Sequence, residues 1–119
     1  MRYMLLIYND ETRYARMTEA EMQADMGQWM AYTEGMRAAG ATTGGDPLQP
    51  TATATTVRDD GNGGPLVTDG PFAETREQLG GYYLLDVENL DKAIEWAHRC
   101  PAAKYGTVEL RPIQEFDQG

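Results

Sequence analysis

The chain has 119 residues, of which 41% are hydrophobic, and a formal net charge of −9 at pH 7. This length accommodates a single domain, residues 1–119, whose core needs no disulfide. An acidic chain without a Lys/Arg cluster is repelled by a phosphate backbone, which argues against direct nucleic-acid binding. The single cysteine, Cys100, excludes an internal disulfide. It is compatible with a reducing compartment, so we expect a cytoplasmic protein.

Residues 3–8 are apolar at nearly every position and predict the first strand. A strand that is apolar on both faces is expected to be covered on both, here by its own helices and by a partner subunit. The apolar run is too short for a signal peptide with a cleavage site and for a membrane span. We therefore expect no membrane association.

Residues 9–17 predict a loop, and a helix follows. Thr18 and Glu21 have the spacing of a capping box, and Gly40 suits the position just after the helix end. Apolar side chains recur at helical spacing at Met22, Met26, Trp29, Met30, Thr33 and Met36. We expect this stripe to pack in the core, with an adaptable methionine-lined pocket as the alternative.

Residues 41–49 predict a short strand that two glycines interrupt, which is typical of a bulge or a close backbone approach. The β-branched residues at 53–58 predict another strand. The glycine-rich residues 60–64 are typical of a hairpin turn, and residues 65–68 would form the returning strand. A proline and a polar partner strand indicate that this hairpin lies outside the main sheet.

Residues 82–87, after two glycines, predict a second solid strand. Asn89 can cap a helix over residues 90–99, and the last strand is expected at 107–113. Residues 117–119 form a polar tail. The apolar face of the helix would consist of Leu90, Ala93, Ile94 and Ala97, with Trp96 beside them.

This order of elements predicts an α+β fold, namely a ferredoxin-like βαββαβ antiparallel sheet with an inserted β-hairpin. The helices would cover one face of the sheet. The other face would carry a mixed set of side chains, Tyr82, Leu84, Asp86, Glu109 and Arg111. A homodimer that stacks two such sheets would bury the apolar members and leave the polar ones lining a cavity.

The run Asp69-Gly70-Pro71-Phe72 supports two interpretations. In the first it is local structure. The aspartate bonds to its own turn, the glycine allows a positive φ, the proline fixes the next residue, and Phe72 pins the loop to the core. In the second, Asp69 is a carboxylate held at a strand end, where it could bind a cationic group or act as a general base.

A charged segment that includes Glu74 and Arg76 follows this turn. Loops at strand ends concentrate binding residues, although a charged loop is also commonly just solvated. His98 and Cys100 have no second histidine to assist them, so neither a nucleophile–base pair nor a usual metal site is predicted. We expect no cofactor. The candidate ligand-binding residues are Tyr8, Arg58, Gly70, Pro71, Phe72, Glu74, Arg76, Tyr82 and Arg111, with Asp69 as the candidate catalytic residue.

The chain resembles the DGPF branch of the YCII-related family over residues 1–113. The residues that carry the likeness are 2–11, 54–58, 67–87, 91–97, 100–103 and 108–112, including VTDGPFAETREQLGGYYLLDV. The resemblance implies the dimeric α+β barrel superfamily, with a ferredoxin-like subunit and a homodimer. It also implies a His–Asp pair in a cleft. The first long helix departs from that pattern, because it offers Trp29 and Tyr32 but no histidine.

Two hypotheses follow. The first is a homodimer that binds a small molecule between the sheet and the Asp69 loop, with turnover of that molecule as an open alternative. Of the reaction types considered, proton transfer of the isomerase or lyase kind requires the fewest catalytic side chains, namely one carboxylate and one polarising group. The second is a non-catalytic regulatory domain, since the resemblance implies an association with extracytoplasmic-function sigma factors.

Overall fold

The computed structural model describes residues 1–116 as an α+β fold, so the predicted tail at 117–119 lies outside the described residues. Two short 3-10 turns, Thr51–Thr53 and Pro101–Lys104, accompany the main elements. In chain order, these elements are β1 (Arg2–Asn9), α1 (Thr12–Ala15), α2 (Glu19–Ala38), β2 (Thr42–Pro47), β3 (Thr55–Asp59), β4 (Pro65–Asp69), β5 (Gln78–Asp86), α3 (Leu90–Arg99) and β6 (Thr107–Pro112).

Four strands form one antiparallel sheet in the order β2-β5-β1-β6. The long helices α2 and α3 pack on one face of this sheet. This is the ferredoxin-like arrangement of the dimeric α+β barrel class, so the predicted fold is confirmed. The predicted loop at 9–17 is partly wrong, because it contains the single turn α1.

The core lies between the sheet and the two long helices. Alternate β1 residues Tyr3, Leu5 and Ile7 are 2%, 0% and 6% exposed, and they meet Leu85 of β5 and Met36 of α2. Burying a side chain of this size contributes roughly 1.5–3 kcal/mol. The intervening β1 residues are half-buried and face away from the helices. One face of β1 is therefore covered within the subunit and the other is not.

Helix α2 begins as the sequence predicts, because Thr18 and Glu21 form the complete capping box. Its buried side is different. Asp25, Tyr32 and Met36 are buried there, with Trp29 and Thr33 half-buried. The predicted core stripe is wrong for three methionines, Met22, Met26 and Met30, which are 47%, 64% and 67% exposed.

Helix α3 starts at its predicted cap, where the Asn89 side chain accepts a hydrogen bond from the Lys92 N–H at 3.0 Å. Ala93 is buried against the core and Ala97 is half-buried. Leu90 and Ile94 are each 49% exposed, so the predicted apolar face is only partly covered.

Strands β3 and β4 pair only with each other and form a two-stranded ribbon outside the main sheet, as predicted. We call residues 55–69 the arm. The arm leaves the sheet after β2, which carries the predicted irregularity between Thr42 and Gly44. Thr53, which was predicted to start β3, belongs to the 3-10 turn Thr51–Thr53 instead. No helix among the described residues is long and apolar enough to cross a membrane.

Candidate functional site

The Asp69 turn lies at the base of the arm, where β4 ends. The Gly70 N–H donates to the Ala54 carbonyl at 2.6 Å, and the Thr56 hydroxyl donates to the Gly70 carbonyl at 2.8 Å. Gly70 has a φ of 96°, a conformation that side-chain-bearing residues rarely adopt. The turn is therefore held by the two strands of the arm and by the freedom of one glycine.

The side chains on either side of Gly70 do not have the local roles that the first interpretation predicts. The Asp69 side chain is exposed and accepts no hydrogen bond from residues 1–116. Phe72 is 79% exposed, so it does not pin the loop to the core. The prediction for Phe72 is wrong because the arm carries this segment away from the helices that form the core.

An open pocket of about 240 Å³ lies beside the turn. Its walls come from the two segments that join the arm to the sheet and from the first residue of β5. They are Thr51, Pro71, Ala73, Glu74, Thr75 and Gln78. Pro71 and Glu74 were predicted as ligand-binding residues. The other four were not, since nothing in their local sequence distinguishes them.

Glu11, which precedes α1, joins opposite walls of this pocket. Its carboxylate accepts hydrogen bonds from the Thr51 N–H at 2.7 Å and the Thr51 hydroxyl at 2.9 Å. Its own N–H donates to the Gln78 side chain at 2.9 Å, and the Gln78 amide donates to the Thr75 carbonyl at 2.5 Å. Hydrogen bonds to a carboxylate are stronger than neutral ones. Glu11 therefore sets the spacing between Thr51 and Gln78.

The far end of the same loop is attached to the edge strand β6. The Thr107 hydroxyl donates to the Glu77 carboxylate at 2.7 Å, and the Thr75 hydroxyl donates to the Glu77 carbonyl at 2.6 Å. The loop thus crosses the end of the sheet from the arm to β6. The end of β1, with Tyr8, pairs with Thr107 at this same end.

The sheet face opposite the helices, which we call the open face, has the composition that the sequence predicts. Leu6 lies between Tyr82 on β5 and Glu109 on β6, and Met4 lies between Leu84 and Arg111. These pairings place the predicted set on one surface. No helix or strand of residues 1–116 covers this surface.

Two tyrosine–carboxylate pairs lie on the open face. The Tyr82 hydroxyl donates to Asp46 at 2.9 Å, and the Tyr8 hydroxyl donates to Glu109 at 3.5 Å. The hydrogen bond to Asp46 raises the pKa of Tyr82, and desolvation raises the pKa of Tyr8, assisted by Glu109. Both hydroxyls consequently keep their protons and can act as hydrogen-bond donors.

The three predicted arginines do not meet at Asp69 within one subunit. Arg58 lies on the arm opposite Leu66, Arg76 lies in the loop, and Arg111 lies on the open face near Tyr8. All three are exposed, and none forms an ion pair among the described residues. The subunit therefore presents its candidate residues in two groups, one at the loop pocket and one on the open face.

Two residues that were considered for chemistry have structural surroundings. His98 is exposed on α3. Cys100 is 1% exposed, and burial raises the pKa of its thiol to about 11. A thiol held in its protonated form is a poor nucleophile. Among residues 1–116, no three His, Cys, Asp or Glu side chains gather closely enough to hold a metal ion.

A buried polar cluster that the sequence did not reveal holds α1 against the core. Asp25 is 8% exposed, and its carboxylate lies 3.5 Å from the Arg13 guanidinium, which stacks 3.5 Å from the centre of the Tyr105 ring. The Trp29 indole N–H donates to the Tyr105 hydroxyl at 3.2 Å. By fixing α1, this cluster also fixes the position of Glu11 at the pocket.

The fold and its uncovered sheet define a subunit of the dimeric α+β barrel class. The family model of the YCII-related domain matches residues 1–117. The chain therefore belongs to the YCII-related domain family. A curated relative, "Uncharacterized protein R00369" of Rhizobium meliloti (strain 1021), is 36% identical over 121 residues. That alignment covers 100% of this chain and 97% of the relative.

A solved structure with a similar fold is 5-chloro-2-hydroxyhydroquinone dehydrochlorinase (TftG) from Burkholderia phenoliruptrix AC1100, in complex with 2,5-dihydroxybenzoquinone. The TM-score is 0.57, and the alignment covers 98% of this chain and 96% of the other. The two sequences are 14% identical. At that identity the similarity shows a common fold, and the chemistry of this chain has to be argued from its own residues.

Proposed function

We propose that the protein binds a small molecule between the Asp69–Gln78 segment and the open face of the sheet, and that it transfers a proton to and from this ligand. Two observations carry the proposal: a pocket of about 240 Å³ whose walls include Pro71 and Glu74, and the exposed Asp69 carboxylate, two residues before Pro71, which has no hydrogen-bond partner among residues 1–116. A carboxylate that forms no hydrogen bond within its own turn is available to bind a ligand.

The chemistry that these groups support is enolisation of a carbonyl compound. The Asp69 carboxylate takes a proton from the carbon next to the carbonyl. The electron pair of that C–H bond forms a double bond to the carbonyl carbon, and the π pair of the C=O bond moves onto the oxygen. The hydroxyl of Tyr8 or Tyr82 turns from its carboxylate partner, Glu109 or Asp46, and donates its one proton in a hydrogen bond to the oxygen as charge develops there. Return of the proton to another carbon gives isomerisation. Loss of a leaving group from the neighbouring carbon gives elimination.

The fold relative supports the elimination variant in a limited way, because its name describes a dehydrochlorinase and its structure contains a quinone. Removal of HCl from a carbon framework is an elimination of this kind. For the present chain we propose the same reaction class, with an enolisable cyclic or conjugated carbonyl compound as the ligand. The exposed arginines, Arg58, Arg76 and Arg111, would neutralise an anionic ligand.

The proposed active species is a homodimer. A single subunit leaves the apolar open-face residues Met4, Leu6 and Leu84 without a covering layer. Stacking two such faces would bury these side chains and enclose the tyrosines in a cavity with little water. Within such a cavity the hydrogen bonds to a developing oxyanion are stronger than in water.

The test is proton exchange from carbon, followed by NMR in heavy water with a panel of cyclic diketones and hydroxyquinones. We expect the wild-type protein to catalyse deuterium incorporation into at least one of them. Asp69→Asn keeps the side-chain shape, and we expect it to slow exchange about 10²–10⁴-fold, the usual contribution of a general base. Asp59→Asn, which changes another exposed aspartate of the arm, is the matched control and should leave the rate unchanged.

Two results would refute this function. One is the absence of exchange with every compound of the panel, and the other is equal exchange by the wild type and Asp69→Asn. A loss of exchange in both aspartate variants would point to general charge effects instead of a base at Asp69.

A second function, as a regulatory partner of an extracytoplasmic-function sigma factor, is favoured by one observation. Met22, Met26 and Met30 form an exposed stripe along α2, and methionine surfaces adapt readily to protein partners. If this function holds, the protein should bind such a sigma factor from the same organism in a pull-down with purified components, and Met26→Glu should abolish binding. Unchanged binding by Met26→Glu would remove the stripe from consideration.

A further inference from the structure

The arm exposes apolar side chains on both of its faces. Val57 and Val67 are directly opposite each other on one face and are 61% and 58% exposed. On the other face Leu66, paired with Arg58, is 54% exposed. Scattered single hydrophobic residues are ordinary on a protein surface, but two paired, exposed valines on one face of a ribbon with an exposed leucine on the other are more than a single scattered residue.

The arm has little support from its own subunit. Apart from each other, β3 and β4 make no extensive contact with another strand or helix among the described residues. The turn at the tip is well formed, since the Asp60 carboxylate accepts hydrogen bonds from the Asn62 and Gly64 N–H groups. An isolated two-stranded ribbon is nevertheless marginally stable in water, so the arm needs a surface to pack against.

The dimensions of the subunit show how far the arm departs from the sheet and helices. The subunit measures 53 × 49 × 19 Å and has a radius of gyration of 16.9 Å. A compact chain of this length has a radius of about 13.5 Å. A thickness of 19 Å accommodates one sheet and one helix layer, and the arm extends within that flat shape.

We propose that the arm crosses to a second copy of this chain and packs along the margin of that copy's open face, so that each cleft is closed by the other subunit. This inference builds on the homodimer of the proposed function and adds that the partner's arm is part of the site. This exchange gives a closed dimer. Each copy has one arm and one open face, and a two-fold axis places the arm of each copy on the open face of the other.

The area available supports the exchange. Four strands about 4.8 Å apart, with about six paired residues each, give a face on the order of 400 Å², half of the roughly 800 Å² per partner in a standard interface. An arm five residues long and two strands wide adds on the order of 150 Å². Each copy donates one arm and receives another. Sheet and arms together therefore approach the standard area, and the sheet alone does not.

The charges also support a second copy as the occupant. Two chains with a net charge of −9 repel each other, so their contact has to be apolar or locally complementary. The arm brings an exposed arginine, Arg58, that forms no ion pair within residues 1–116. The two margins of the open face carry the carboxylates Asp46 and Glu109. Arg58 shares its face of the arm with Leu66, so it lies beside these carboxylates when the Leu66 face rests on the margin and the Val57–Val67 face is turned to the cleft.

In this arrangement the Asp69 carboxylate lies in the interface between two subunits and not on an open surface. Asp69 pairs with Thr55 and lies on the same face of the ribbon as Val57 and Val67. If that apolar face meets the partner, the carboxylate is carried to the same interface. The tyrosines of one subunit and the Asp69 carboxylate of the other would then share a closed cleft.

Cross-linking tests the contact directly. Val67→Cys in one chain and either Asp46→Cys or Glu109→Cys in a second, tagged chain are co-expressed and treated with a short bismaleimide. We expect a covalent heterodimer with at least one of the two margin positions. Cys100 is buried and should not react with the reagent. Wild-type protein with and without the reagent gives the background level of cross-linked dimer. A dimer in which neither mixture cross-links overturns the arm exchange and leaves the proposed function untouched.

A mass measurement tests the contribution of the arm. We expect the wild type to sediment as a dimer of two 13.2 kDa chains. Val57→Thr combined with Val67→Thr keeps the β-branched shape but adds hydroxyls, and it should raise the dimer dissociation constant about tenfold or more, a factor of ten being 1.4 kcal/mol. The matched control is Ile94→Thr, an equally polar change at a 49% exposed residue of α3. An unchanged dissociation constant for the arm variant, or a monomeric wild type, overturns the inference.

Discussion

Replacing Gly106 by alanine should destabilise the fold strongly, because the added methyl group has no room. A Cβ at this position overlaps the Tyr8 carbonyl oxygen and lies 3.0 Å from the Asn9 Cβ and 3.2 Å from the Asn9 Cα. These are mostly backbone atoms of β1, which cannot move without disturbing its pairing with β6. Overpacking of this kind typically costs about 1–3 kcal/mol and sometimes more. We expect about 3 kcal/mol here.

The matched control is the same substitution at Gly27, in the exposed middle of α2. Apart from the helix's own backbone, no atom of the described residues lies within 4 Å of a Cβ at that position. Alanine is favoured over glycine in a helix interior by up to about 1 kcal/mol, so Gly27→Ala should stabilise the protein slightly. The two variants therefore share one chemical change and have opposite expected signs.

Thermal unfolding followed by circular dichroism measures both. For a chain of this length 1 kcal/mol corresponds to a shift in Tm of roughly 3–6 °C, so Gly106→Ala should lower Tm by about 10 °C or more. Gly27→Ala should raise Tm by a few degrees. A Tm for Gly106→Ala within about 2 °C of the wild type would refute the close approach of residue 106 to β1. It would also weaken the placement of Tyr8 on the open face.

Two other variants probe the core. Tyr32→Phe removes a buried hydroxyl that donates to the Trp96 carbonyl at 2.7 Å. It should cost about 0.5–1.5 kcal/mol in urea unfolding, the usual net contribution of one hydrogen bond, because that carbonyl keeps its hydrogen bond from the Cys100 N–H at 3.1 Å. An unchanged stability of Tyr32→Phe would contradict the buried bond. Burial raises the pKa of Cys100 from 9.0 to about 11. Between these values the thiol is deprotonated in the unfolded chain but still protonated in the folded one, so the free energy of unfolding should fall from pH 9 to about 11. Cys100→Ala should show a shallower fall over the same pH range. Equal slopes of unfolding free energy against pH in the two proteins would contradict the raised pKa.

Local signals in the sequence predicted the ends of the elements well. The Thr18 capping box and the Asn89 cap form as expected, and the glycine-rich turn closes a hairpin outside the main sheet. Each of these features depends on a few neighbouring residues. Their chemistry is complete within one or two turns of chain, so no distant partner is needed to predict them.

The inward side of α2 could not be predicted in the same way. Periodicity assigned the methionines to the core, yet Asp25 is buried and Met26 is exposed. A buried carboxylate is tolerated only with a partner, and that partner is Arg13, which stacks on Tyr105 from the other end of the chain. The prediction failed because the compensating groups are distant in sequence.

The candidate site likewise combines features that depend on local sequence with features that depend on packing between distant segments. The sequence alone determined the class of fold, the turn at Asp69–Gly70 and the alternation that places Tyr82 and Leu84 on one face, since these depend on local conformation and strand period. Only the tertiary structure decided that Glu11 joins the pocket walls and that Phe72 points away from the core. Both depend on where the arm leaves the sheet, a property of packing between segments that no local pattern records.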